Sequence, residues 1–70
     1  MFEINGKELE NGDVFLSKNN EKYKYEVFSN DGKELKYFPI EADTDERSRF
    51  PLTEDVESYR RIQSVLYLEQ

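Results

Sequence analysis

Over residues 22–27 apolar or aromatic side chains alternate with charged ones: Tyr23, Tyr25 and Val27 share one parity, Lys24 and Glu26 the other. Successive strand residues point to opposite faces, so the alternation predicts a half-buried strand. Residues 33–40 repeat the pattern, with Leu35 and Tyr37 on one face and Lys36, Phe38 and Ile40 on the other. Asp31-Gly32 stands between the two runs, and Asn5-Gly6 and Asn11-Gly12 punctuate the chain earlier. Glycine reaches positive φ without a Cβ clash, and Asn and Asp tolerate it, so these pairs mark tight turns. The expected architecture is an antiparallel β-meander.

Parity sets the expected registers, because a one-residue slip moves every side chain to the other face. A three-residue loop of Asn30-Asp31-Gly32 pairs Val27 with Leu35, Tyr25 with Tyr37 and Glu26 with Lys36. A four-residue loop, Lys18-Asn19-Asn20-Glu21, pairs Leu16 with Tyr23 and Val14 with Tyr25. The expected core face is then Val14, Leu16, Tyr23, Tyr25, Val27, Leu35 and Tyr37. The opposite face holds Phe15, Lys24, Glu26, Phe28, Lys36, Phe38 and Ile40, with Phe15 and Phe38 flanking Lys24. Upstream, residues 2–4 and 7–9 form a hairpin across Asn5-Gly6 that sets Phe2 opposite Leu9. The same register opposes Glu3 and Glu8, an unfavourable like-charge pair.

Pro39 is expected near a sheet edge or a strand end, since it donates no ladder hydrogen bond. Residues 41–50 lack periodicity and read as a loop, after which Phe50-Pro51-Leu52 returns to the core. Thr53 is the expected helix N-cap, with Glu54 and Asp55 in the first turn and Arg60-Arg61 near the end, matching the helix dipole. The helix falls near residues 53–62, with Val56, Tyr59 and Ile62 as its apolar stripe. Residues 64–69 form either a closing strand or more helix. The strand is preferred because it pairs an exposed sheet edge.

The fold class is therefore mainly β, a β-rich α+β domain spanning residues 1–70. Its short strands, tight turns, helical turn and last strand, from Leu9 to Leu68, resemble a small, partly open barrel of the Src-homology-3-like kind. The resemblance is one of architecture and carries no functional residues with it. The alternative is an antiparallel sheet covered on one face by a longer C-terminal helix.

Composition narrows the chemistry. The 70 residues include no Cys and no His, which removes disulfides, thiol chemistry, His-dependent catalysis and the usual zinc ligands. The N-terminal residues lack the pattern of a signal peptide, and the longest apolar run, Val65-Leu66-Tyr67-Leu68, is too short to cross a bilayer, so a cytoplasmic protein is expected. The net charge of −6 is uneven: residues 41–57 carry seven acids against Arg47 and Arg49. Nucleic-acid binding needs a cationic face, and here the lysines are interleaved with acids.

No catalytic constellation emerges. Asp43, Asp45 and Glu54 fall at the first, third and twelfth positions of an EF-hand-like count. However, Arg47 and Arg49 occupy ligand positions and Ser48 replaces the required Gly, so neither a metal nor any other cofactor is expected. Ser17-Lys18 is no nucleophile pair, since strand neighbours face apart. The tyrosines Tyr23, Tyr25 and Tyr37 are expected in the core rather than stacked on bases.

The expected function is that of a non-enzymatic interaction or regulatory module of bacterial or phage type, monomeric or homodimeric. It would bind a protein partner through Phe15, Lys24, Phe28, Lys36 and Phe38. The alternative is an acidic mimic of nucleic acid that uses Asp43, Asp45, Glu46, Glu54, Asp55 and Glu57.

Overall fold

The computed structural model describes residues 2–70. Strands β1 (Glu3–Ile4) and β2 (Lys7–Glu8) form a two-stranded ribbon. A five-stranded antiparallel sheet is built from β3 (Val14–Ser17), β4 (Asn20–Asn30), β5 (Glu34–Glu41), β6 (Leu52–Asp55) and β7 (Leu66–Leu68). Helix α1 (Val56–Ile62) and a single 3-10 turn, Gln63–Val65, connect β6 to β7. The strand order β6-β5-β4-β3-β7 makes the last strand close on the first strand of the sheet, through Phe15↔Leu68, Leu16↔Tyr67 and Ser17↔Leu66. The sheet stays open between β6 and β7, and α1 joins these two edges. This is the mainly β meander with a short C-terminal helix and closing strand that alternation and turn signals predict. The longer covering helix does not form.

The N-terminal ribbon has the predicted register, Glu3↔Glu8 and Ile4↔Lys7. Asn5 and Gly6 both take positive φ, +50° and +82°, as a twisted two-residue hairpin turn requires. The opposed glutamates are tolerated because Phe2, Ile4 and Leu9 beside them are buried. In addition, the Glu8 carboxylate accepts from Asn30 Nδ2 at 3.3 Å.

The core lies on the inner face of the sheet. Phe15, Val27, Leu35, Tyr37 and Leu66 are buried there beneath Phe2, Ile4 and Leu9 of the ribbon and Tyr59 of α1. Val56 and Ile62 pack against the same cluster. Four ring pairs tie it together, at centroid separations of 5.2 Å (Phe2–Tyr59), 5.4 Å (Phe15–Tyr25), 5.4 Å (Phe15–Tyr37) and 5.3 Å (Tyr25–Tyr37). Buried phenols find acceptors: Tyr59 Oη donates to the Glu3 carbonyl and Tyr37 Oη to Glu54 Oε1, both at 2.9 Å. Burial pushes the Tyr59 phenol up to about 12, and burial together with the Glu54 carboxylate raises that of Tyr37 still further.

Several expected registers are corrected. Strand β3 pairs as Val14↔Glu26, Phe15↔Tyr25 and Leu16↔Lys24, one residue from expectation. The connection is a two-residue turn, Lys18-Asn19, with a register shift between Leu16 and Ser17 in place of the four-residue loop. The slip reverses β3, so Phe15 enters the core and Val14 and Leu16 turn outward. Between β4 and β5, Val27 pairs with Tyr37 and Tyr25 with Pro39, a two-residue change that preserves facing. A bulge at Phe28 restores continuity with Ser29↔Lys36 and Asn30↔Leu35. Asn30 thus belongs to β4, and the turn tightens around Asp31, whose carboxylate accepts from the Lys33 and Glu34 N–H groups at 2.8 Å each.

Pro39 sits within β5, near its end rather than on a sheet edge. Its carbonyl accepts from the Ser48 N–H at 2.8 Å, so its polar side faces the segment where the β5–β6 ladder is interrupted and the missing donor costs little. Thr53 is a β6 residue paired with Lys36, and the helix N-cap is Asp55, which accepts from the Ser58 N–H at 2.7 Å. Phe50 and Leu52 do not return to the core: they are 78% and 47% exposed.

Candidate functional site

The outer face of the sheet collects four of the five expected partner-binding residues and excludes the fifth. Phe28 and Phe38 meet at a ring-centroid separation of 5.1 Å, and Phe28 is 48% exposed. Phe28 is the unpaired residue at the bulge, two positions along β4 from Glu26, which pairs with Phe38, so the two rings are diagonal neighbours. Phe15 is 2% exposed and lies on the inner face against Tyr25 and Tyr37, so it is core and takes no part in the outer surface.

Lys24 is flanked by Leu16 and Ile40 and not by phenylalanines. Its ammonium lies 3.1 Å from Asp45 Oδ1 and 3.4 Å from Glu69 Oε2. Hydrogen bonding to these two carboxylates raises its pKa above the ordinary lysine value. It acts as a clasp between the β5 loop and the C-terminus rather than as a rim cation. Lys36 stays beside the aromatic pair, between Ser29 and Thr53 in the ladder.

Arg47 supplies the cation that Lys24 does not. Its guanidinium sits 4.5 Å from the Phe38 ring centroid, while Nη1 lies 3.2 Å from Glu26 Oε1. The position follows from the tight turn after β5. The Glu41 N–H donates to the Glu46 carbonyl at 2.9 Å, Asp45 adopts φ +59°, and Ile40 bridges Arg47. Nothing in the local pattern around Arg47 marks it as a ring partner, since its contacts lie across the sheet.

The acidic residues are dispersed by their own bonds. Asp45 is held by Lys24, Glu54 accepts from Tyr37, Asp55 caps α1, and Glu57 lies 3.6 Å from Arg61. The Ser58 N–H holds the Asp55 carboxyl below the usual carboxylate range. Asp43 and Glu46 remain exposed. Four of the six residues of the acidic alternative thus make contacts within the domain, and of these Asp45, Asp55 and Glu57 stay exposed. Among the described residues no group of three or more acidic, His or Cys side chains could hold a metal ion, and no helix is long and apolar enough to cross a membrane.

The inner face contributes a feature the sequence reading placed wholly in the core. Its row of inward residues runs on past the covered core, from Val27 to Tyr25 and Tyr23, and exposure rises along it until Tyr23 is 36% exposed. With Pro39 and Leu52 they floor a groove of about 480 Å³, bordered by Asn20, Glu41, Glu46, Arg47 and Ser48. Asn20 Nδ2 reaches the Tyr25 hydroxyl at 3.4 Å.

No family model, curated protein or solved structure matches the chain. The functional reading therefore rests on these two surfaces.

Proposed function

We propose that the protein is a small non-enzymatic interaction module, a regulatory or accessory protein of bacterial or phage type. It acts in the cytoplasm and binds a protein partner through the outer face of its sheet. The observation that carries the reading is the pair of exposed Phe28 and half-buried Phe38, with Arg47 over the Phe38 ring, on a sheet face that no ribbon or helix among the described residues covers. Aromatic rings and arginine are the residue types enriched where protein partners meet, and an uncovered aromatic cluster on a small domain marks a contact surface. Lys36 at its border supplies polar rim character.

The test compares immobilised wild-type protein with Phe28→Ser and Phe38→Ala as baits, each checked for an unchanged thermal melt. A partner captured by the wild type is lost with both variants. The purified partner then protects the backbone amides of residues 26–38 from hydrogen exchange. Equal capture by folded variants overturns the proposal. If the captured species is a second copy of the chain, sedimentation shows a dimer that Phe38→Ala converts to monomer.

A further inference from the structure

We infer that the inner-face groove floored by Tyr23, Tyr25, Pro39 and Leu52 is a second recognition site, and that it receives a lysine or arginine side chain from a protein partner. It lies on the side of the sheet opposite Phe28 and Phe38, so its failure leaves the proposed outer-face function standing.

The ribbon and α1 cover the sheet only as far as the Tyr37 row. Beyond that edge the inward row continues as Tyr25 and Tyr23, leaving an aromatic floor without a lid. Tyrosine rings present negative π-faces that attract ammonium and guanidinium groups. Glu41 and Glu46 border the same groove, and Asp43 shares an adjoining hollow of about 270 Å³ with Lys22, Tyr23 and Glu41.

Two basic residues approach. The guanidinium of Arg47 is committed to Glu26 and the Phe38 ring. Lys22 is exposed at the outer end and shares its hollow with two carboxylates, Glu41 and Asp43, while Glu46 lies in the groove without it. The charge that remains available to a ligand is negative, and it sits beside ring faces. That combination suits a cation carried on an apolar stem, whose methylenes lie along Pro39 and Leu52 while its head reaches the carboxylates. An acidic side chain would meet both like charge and the negative ring faces.

The test uses ¹⁵N-labelled full-length protein at physiological ionic strength and two blocked pentapeptides, Ala-Leu-Arg-Leu-Ala and its Glu counterpart. The Arg peptide shifts the amides of Tyr23, Tyr25, Ser48 and Leu52, and the Glu peptide leaves them unmoved. Tyr23→Ala and Glu46→Gln each weaken Arg-peptide binding about fivefold, the scale of a partly exposed cation–π or ionic contact. Phe28→Ala, on the outer face and without contact to Arg47 in the cation–π pair, leaves that binding unchanged. The inference is overturned if the Arg peptide does not bind at millimolar concentration or if the two peptides shift the same amides equally. Shifts scattered over acidic residues far from the groove, insensitive to both variants, also overturn it.

Discussion

Both faces of the central sheet carry large apolar side chains, and they put them to opposite uses. On the inner face Phe15, Val27, Leu35 and Tyr37 lie under the ribbon and α1, and each is at most 6% exposed. On the outer face Phe28 and Phe38 pair with each other and with Arg47, and Phe28 keeps 48% of its surface in solvent. Residue type does not separate the two sets, since phenylalanine appears in both. What separates them is whether another element of the chain folds over. A domain of this size has few residues to spare for a second apolar layer, and here the ribbon and the helix both go to one side. The uncovered rings are the surplus on which the functional proposal stands.

The largest way to break this contrast is to truncate one ring on each face. Phe15→Ala empties a packed site and is expected to destabilise by about 3–5 kcal/mol, comparable with the whole stability of so small a domain. Urea or thermal unfolding should show it largely unfolded near 37 °C. Phe28→Ala removes an exposed ring and should cost less than about 1 kcal/mol. Equal losses at the two positions would mean that the outer ring is also core. That result would remove the basis for a partner surface.

A smaller effect tests the polar seam at the edge of the inner face. The Tyr37 hydroxyl donates to Glu54 Oε1 at 2.9 Å, linking the core to β6. Tyr37→Phe keeps the ring and loses this bond, at an expected cost of about 0.5–1.5 kcal/mol. Denaturant midpoints measure it. A neutral result would show that β6 is held by its ladder to β5 alone.

Much of this architecture was legible in the sequence, and the failures have physical causes. Alternation in residues 22–40 placed Val27, Leu35 and Tyr37 together because parity survives a two-residue change of register. The Asn5-Gly6 hairpin was legible to the residue because two adjacent positive-φ positions admit few alternatives. By contrast, Phe15 was placed on the wrong face. Its facing depends on an irregularity at Leu16 and Ser17 that no local propensity announces, and an error of one residue inverts a strand. Residues 53–55 read as a helix start because Thr53 and the acids that follow resemble a cap and first turn. The free edge of β5 draws those residues into a ladder instead, and the cap moves to Asp55. At the candidate sites, the Phe28–Phe38 pair was within reach of pattern reasoning. Arg47 was not, because its contacts join residues 21 and 9 positions away across a turn.

Alkaline pH sharpens the contrast between faces in a different way. Tyr37 and Tyr59 are inner-face phenols whose proton affinity is raised, chiefly by burial. The folded state therefore holds these protons at a pH where the unfolded chain, near its ordinary value of about 10, has begun to release them. The resulting stabilisation is fully present below pH 10. It is lost as pH rises from about 10 through the folded-state values, so stability should fall over that interval. Lys7 and Lys24, raised by their carboxylate partners, add a slope of the same sign from the surface. Removing both buried hydroxyls with Tyr37→Phe and Tyr59→Phe isolates the inner contribution. The double variant starts lower near neutrality, having lost two hydrogen bonds, yet its urea midpoint should decline less steeply between pH 10 and 12. Parallel declines in the variant and the wild type would assign the alkaline loss to the lysine pairs, and the buried phenols would then be no barrier to unfolding in base.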